Sequence, residues 1–181
     1  MFELTKHKAY ELLKTIWNRV SLDYVILSVG KEYEGYEMHK AAVIEAFQIL
    51  NRRLSAYAYQ VNIEVENMAA TKIDTEEFLM PPSYAYYEDR SKKQACIKVP
   101  APMPYWYAFL EPPYGTPYLK ADFIRFNDIL FPNRKVLEVY RWNDDFSNYF
   151  DAGKEWWGTG LWSAYDRKTG TMVVIGASQT D

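Results

Sequence analysis

Four carboxylates lie in a short aromatic segment, a combination that could hydrolyse a glycosidic bond. Residues 142–157 read WNDDFSNYFDAGKEWW and contain Asp144, Asp145, Asp151 and Glu155. In a helix Asp151 and Glu155 would share one face, and a glycosidase uses two carboxyl groups, one as acid and the other as nucleophile or base. The alternative is a solvated acidic loop whose rings anchor it to the fold. Nothing in the sequence fixes the separation of the carboxyl groups, so no catalytic residue is assigned.

The residue types that bind transition metals are scarce. The chain has His7, His39 and Cys96, with no HExxH and no CxxC pattern, whereas structural zinc needs four such ligands and catalytic zinc usually three. We therefore predict no zinc site and assign no metal ligand and no cofactor, while a magnesium or calcium site made of carboxylates stays open. His39 is expected at the solvent-exposed start of a helix, and Cys96 is expected as a small buried residue of a strand.

Motifs for nucleophilic catalysis and phosphate binding are absent as well. There is no GxSxG elbow, no GxGxxG, and Gly30-Lys31 lacks the rest of a P-loop. The sequence therefore favours a protein without enzymatic activity.

Aromatic residues are the unusual part of the composition. Six Trp, 16 Tyr and 9 Phe make up 17% of the 181 residues. Many such rings belong in a core, but exposed Tyr and Trp anchor protein interfaces. The rings that we assign to a binding surface, together with the four carboxylates, are Tyr114, Trp142, Trp156 and Trp157. A net charge of −3 argues against a nucleic-acid partner.

Hydrophobic periodicity predicts the elements that position these residues. Helices are predicted over residues 9–20, 36–57 and 119–131, and a short one from Asp74 that must end at Pro81-Pro82. Strands are predicted over residues 23–30, 94–99, 105–110, 136–142, 159–166 and 171–177, the last two as a hairpin. Residues 58–70 fit either a strand or a continuing helix, and their β-branched content favours the strand.

This order of elements predicts an α+β fold: a mainly antiparallel sheet with the N-terminal helices packed on it. The length indicates a single domain, residues 1–181, with an internal subdivision near residues 90–104 as the alternative. No apolar stretch is long enough for a membrane span, and one cysteine fits a reducing compartment. We therefore expect a cytoplasmic protein with no membrane partner.

Four local patterns in residues 105–181 carry a resemblance: YAFLEPPYG, FNDILFP, YFDAGKEWWGTGLWSAYD and VVIGASQTD. They resemble a family of small uncharacterised bacterial cytosolic proteins, some of which are candidate immunity proteins of polymorphic toxin systems. The resemblance implies a protein that binds a toxin and catalyses nothing. With the aromatic surplus, it leads to the hypothesis of a protein partner, or of a homo-oligomer, recognised through residues 142–162. A small-molecule or carbohydrate-binding domain, or a hydrolase using the same loop, is the alternative.

Overall fold

An antiparallel sheet of six strands organises the fold. The computed structural model describes residues 1–16, 22–30, 32–54, 60–92, 101–113, 118–155 and 157–178. The strands of this part of the chain are β1 (Phe2–Glu3), β2 (Leu22–Ser28), β3 (Ala70–Ile73), β4 (Leu137–Trp142), β5 (Thr159–Asp166) and β6 (Thr171–Ser178). They lie in the order β1-β2-β6-β5-β4-β3, and every neighbouring pair is antiparallel. The α+β class is therefore confirmed.

The middle of the sheet consists of β2, β6 and β5, which are buried on both faces. Their nearly continuous apolar sequences are typical of strands covered on both sides. The predicted hairpin is confirmed: residues 167–170 form its turn, and Gly170 closes it with a positive φ of 67°. A Cβ at Gly170 would lie 2.7 Å from the carbonyl oxygen of Gly30, so this position requires glycine.

Helices cover both faces of the sheet. The helices are α1 (Lys8–Ile16), α2 (Tyr36–Leu54), α3 (Thr75–Leu79), α4 (Ala85–Glu88), α5 (Tyr105–Leu110), α6 (Lys120–Leu130) and α7 (Asp151–Glu155). The first core joins residues of α1, α3, α5 and α6 to one face, and the second core joins α2 and residues 146–150 to the other. Elements on both sides of residues 90–104 thus share one sheet. None of the helices in the described ranges is long and apolar enough to cross a membrane.

The strand prediction for residues 105–110 is wrong, because this segment is helix α5. Pro104 is its extended N-cap residue, and the helix begins directly after it. Tyr105, Ala108 and Phe109 are all buried in the first core, and their i, i+3, i+4 spacing is that of one helix face. The high β-propensity of Tyr and Trp had suggested a strand, but tertiary packing overrides propensity. The strand predicted for residues 94–99 lies outside the described residues.

Residues 60–64 are neither strand nor helix, and the strand of this region is β3, further along the chain. Two asparagine side chains satisfy the backbone that a sheet would otherwise pair. Asn51 accepts from Val61 N at 2.6 Å and donates to Val61 O at 2.8 Å. Asn148 accepts from Asn62 N at 2.8 Å and donates to Gln60 O at 3.0 Å. Because these bonds leave no ladder to form, the alternating sequence does not become a strand.

Candidate ligand-binding site

The rings at the start of the aromatic segment are core residues. Trp142 ends β4 with 5% of its surface exposed, and its indole Nε1 donates to Ser163 Oγ at 2.9 Å. Phe146, Tyr149 and Phe150 are also buried, in the second core. Trp142 is therefore not an exposed ring, although it is one of the residues that line the cleft described below. A ring in a strand and a ring in an interface have the same sequence signature, so the sequence alone does not distinguish them.

The later rings of the segment are only partly described. Trp157 is half-buried against the first core, and its Nε1 donates to the carbonyl oxygen of Glu111 at 3.1 Å. Trp156 and Tyr114 lie outside the described residues. Of the rings assigned to a protein-binding surface, Trp157 is thus the described one that is not buried, and the binding surface itself stays a prediction.

The four carboxylates do not converge. Asp151 and Glu155 belong to α7, as the helical spacing predicted, but both are exposed on its surface. Asp145 is 78% exposed and forms an ion pair with Lys154 at 3.1 Å. Asp144 differs from them, because it lines a cleft. The described residues therefore do not form the pair of facing carboxylates that a glycosidase requires.

The cleft lies where β3, β4 and β5 meet the segments beside them, and its volume is about 320 Å³. This volume is at the lower end of the range of small-molecule sites, roughly 300–1,000 Å³. The side chains that give the cleft its character are those of Thr71, Met103, Arg141, Asn143, Asp144 and Thr159.

Strand pairing and hydrogen bonds position these side chains. Thr71 lies opposite Arg141 in the β3–β4 ladder. Asn143 fixes the rim, since its Oδ1 accepts from Ala69 N and its Nδ2 donates to the carbonyl oxygen of Asn67, both at 2.9 Å. The Thr159 hydroxyl donates to Asp144 Oδ2 and so joins the start of β5 to the chain after β4. Contacts within the chain therefore hold the walls of the cleft in place.

The cleft is lined by one cation, Arg141, and one anion, Asp144. Arg141 Nη1 donates to Glu77 at 3.1 Å, but Glu77 is 52% exposed, so this contact is open to water and weak. The remaining guanidinium donors can bind an anionic group, and Asp144 can accept from a cationic or hydroxyl group. Among the described residues, no group of three His, Cys, Asp or Glu side chains could hold a metal ion.

Ser163, which bonds Trp142, also contacts a buried histidine that the sequence did not reveal. His39 was expected at the surface but is fully buried: Nδ1 lies 2.8 Å from Ser163 Oγ and Nε2 lies 3.0 Å from the Tyr33 hydroxyl. Burial lowers the pKa of His39 from 6.5 to about 4. The spacing of His39 from Val43, one helical turn along the buried stripe of α2, is the signal that could have revealed it.

Fold and cleft define this chain as an α+β protein with a preformed polar cleft beside the sheet. No family model, curated protein or solved structure matches it. The resemblance to immunity proteins therefore remains a prediction.

Proposed function

We propose that the protein binds a small zwitterionic molecule, of the size of an amino acid, in the cleft beside Asp144. Arg141 would bind the anionic group of the ligand and Asp144 its ammonium group. The Thr159 hydroxyl orients the carboxylate, and Met103 supplies an apolar wall. The lone cysteine, Cys96, supports a reducing compartment, so we place the function in the cytoplasm.

The observation that carries this proposal is the pairing of a cation and an anion in one preformed cleft. A carboxylate that is already hydrogen-bonded and a guanidinium with free donors lose little freedom when a ligand binds. Binding is preferred to catalysis because Asp144 is the only carboxylate lining the cleft in the described part of the chain. A hydrolase would need a second acid or a nucleophile at that position.

Recognition of a protein partner remains a separate proposal. It depends on Trp157, the described ring of the segment that is neither fully buried nor in the strands. Trp157→Ala would remove the hydrogen bond to Glu111 as well as the ring surface, so its effect on unfolding must be measured beside any loss of binding. Loss of binding without loss of stability would support the partner proposal.

Ligand binding in the cleft can be tested by comparing Asp144, which lines the cleft, with its neighbour Asp145, which does not. We expect at least one of the 20 free amino acids to raise the melting temperature saturably. Because a charge-assisted hydrogen bond is worth about 1.5–3 kcal/mol, Asp144→Asn should weaken this binding by about 10-fold or more. Arg141→Gln should have a similar effect, while Asp145→Asn, with the same change in net charge, should not.

Two outcomes would contradict the proposal. One is that none of the amino acids binds to the folded wild-type protein. The other is that Asp145→Asn weakens binding as much as Asp144→Asn, which would show a general effect of charge. Unfolding in urea is measured for each variant, so that a loss of fold is not taken for a loss of affinity.

A further inference from the structure

A second cleft, which shares no lining residue with the first, lies at the C-terminal end of α6. Its volume is about 340 Å³, and it is bounded by the short 3₁₀ helix Arg134–Val136 and by the turn between β5 and β6. The charged side chains that line it are Asp128, Arg134, Lys135 and Lys168. Three cations and one carboxylate give this cleft a local positive charge in a protein whose net charge is −3.

A buried carboxylate holds the two sides of this cleft together. Asp166 is 4% exposed, and its Oδ1 accepts from the backbone N–H groups of Lys168 and Thr169 at 2.8 and 3.3 Å. Its Oδ2 accepts from Asn133 Nδ2 at 2.8 Å. The backbone that carries Lys168 is therefore fixed relative to the segment that carries Arg134 and Lys135.

Two of the cations have no counter-ion within the described ranges. Lys135 and Lys168 are exposed and take part in none of the ion pairs of this part of the chain. In contrast, Arg167, the residue before Lys168, forms an ion pair with Glu138 of β4. The ammonium groups of Lys135 and Lys168 are thus available to an anion.

The guanidinium of Arg134 has one nitrogen, Nε, that is buried without a hydrogen-bond partner in the described part of the chain. Its Nη2 donates to Asp128 and, at 3.2 Å, to the carbonyl oxygen of Ile124. An unsatisfied buried donor is costly, and most for a charged group. An anion in the cleft that draws the guanidinium away from Asp128 would let Nε form a hydrogen bond.

We propose that this cleft binds a phosphate group, either free phosphate or a small phosphate monoester, through Arg134, Lys135 and Lys168. The two negative charges of a phosphate dianion offset more of the three positive charges than a ligand with one carboxylate would. A guanidinium can also bind two phosphate oxygens at once. Asp128 would compete with the phosphate, because it forms an ion pair with Arg134. This site is independent of the function proposed for the first cleft.

The test uses inorganic phosphate and glycerol 3-phosphate, added at constant ionic strength and followed in ¹H–¹⁵N spectra of the full chain. We expect saturable shifts confined to residues 128–136 and 166–169. Arg134→Ala and Lys168→Gln should each weaken binding about 10-fold, as the loss of a charge-assisted hydrogen bond does. Lys154→Gln, which removes a cation near the opposite end of β5, should leave binding unchanged.

Asp128→Asn makes the test specific, because it should strengthen binding by releasing Arg134. Asp145→Asn, with the same change in net charge, should not. The proposal is overturned if neither probe gives saturable shifts, if Lys154→Gln weakens binding as much as Lys168→Gln, or if Asp128→Asn binds no more tightly than Asp145→Asn. Tighter binding of glycerol 3-phosphate than of phosphate would identify a monoester as the ligand, and the reverse would identify free phosphate.

Discussion

Replacing Arg90 with alanine should lower the free energy of unfolding by about 3–5 kcal/mol, the usual cost of removing one partner of a buried ion pair. Arg90 Nη1 donates to Glu111 at 2.7 Å, and only 17% and 14% of the two side chains are exposed. Its Nη2 donates to the carbonyl oxygen of Leu110 at 2.8 Å, and its Nε donates to that of Tyr118 at 3.0 Å. Alanine would leave a carboxylate and two carbonyl oxygens without this donor.

Lysine should not be able to take over the stabilising contacts of Arg90. The guanidinium also lies over the rings of Tyr86 and Tyr87, 4.3 and 4.9 Å from their centroids. A single ammonium group cannot stack in this way and reach three acceptors at once. Arg90→Lys should therefore lose most of the stability that Arg90→Ala loses, when both are measured by urea denaturation.

The matched control is Arg52→Ala. Arg52 is 63% exposed and pairs with Glu45 on the surface of α2 at 3.2 Å. Exposed pairs of this kind contribute about 0–1 kcal/mol. If Arg90→Lys is as stable as the wild type, or if Arg90→Ala costs no more than Arg52→Ala, then the contacts of Arg90 do not stabilise the fold.

Acidification should destabilise the protein through His39 by about 3 kcal/mol, from the difference between its ordinary pKa of 6.5 and its folded-state pKa of about 4. Above pH 6.5 the imidazole is neutral in both states, and the full stability is present. Between pH 6.5 and 4 the unfolded chain takes up a proton that the folded chain does not. Below pH 4 both states are protonated, and this group causes no further change.

Burial is the largest cause of the lowered pKa of His39, and the two nearby charges act on this pKa in opposite directions. Glu138 raises the pKa, while Lys72, which forms an ion pair with Glu138, lowers it. The ring of Tyr140 lies 4.6 Å from the imidazole, and the other contacts are the hydroxyl groups of Tyr33 and Ser163. No carboxylate in the described part of the chain bonds the imidazole directly, so Glu138 and the Ser163 contact, which both raise the pKa, do not overcome the effect of burial.

The measurement is the difference in unfolding free energy between wild type and His39→Gln at pH 7, 5.5 and 4.5. Glutamine keeps a donor and an acceptor but does not titrate, so the difference should shift steadily in favour of the variant as the pH falls. Burial raises the pKa of Asp23, which gives the opposite slope, but this contribution is common to both proteins and cancels. Parallel pH profiles would refute the assignment. His7→Gln is the comparison: burial lowers the pKa of the half-buried His7 as well, so its profile should shift in the same direction but by less than that of His39→Gln.

The sequence correctly predicted those elements in which the local pattern of apolar and turn residues favours the same structure as the packing of the folded chain. The hairpin of β5 and β6 and the amphipathic helix α6 are examples, because apolar period and turn residues point to one structure there. The sequence of α5 predicts a strand instead of a helix, because its aromatic residues have a high intrinsic preference for strands. Residues 60–64 were unpredictable locally, because Asn148, whose side chain replaces their sheet partners, lies far along the chain.

The sites were less predictable than the fold. Asp144 was selected for its neighbours in sequence, but its cleft depends on Arg141 and Thr159, which pairing between strands brings beside it. The cleft around Arg134 has no sequence motif, because Lys168 reaches it only through the turn held by Asp166. Residue type could suggest an acidic site, but it could not distinguish Asp144 from Asp145.

The pairing of β2 with β6 has a consequence for how the chain folds. Val25 lies opposite Val174 in this ladder, so the strands in the middle of the sheet are separated by most of the sequence. Contacts between such distant residues slow folding, because the entropy of closing a long loop is lost before any contact is gained. During synthesis, β2 emerges with its apolar side chains but must wait for β6. Until then the edge of β2 that β6 will occupy is unpaired, and an unpaired apolar strand edge favours aggregation with other chains.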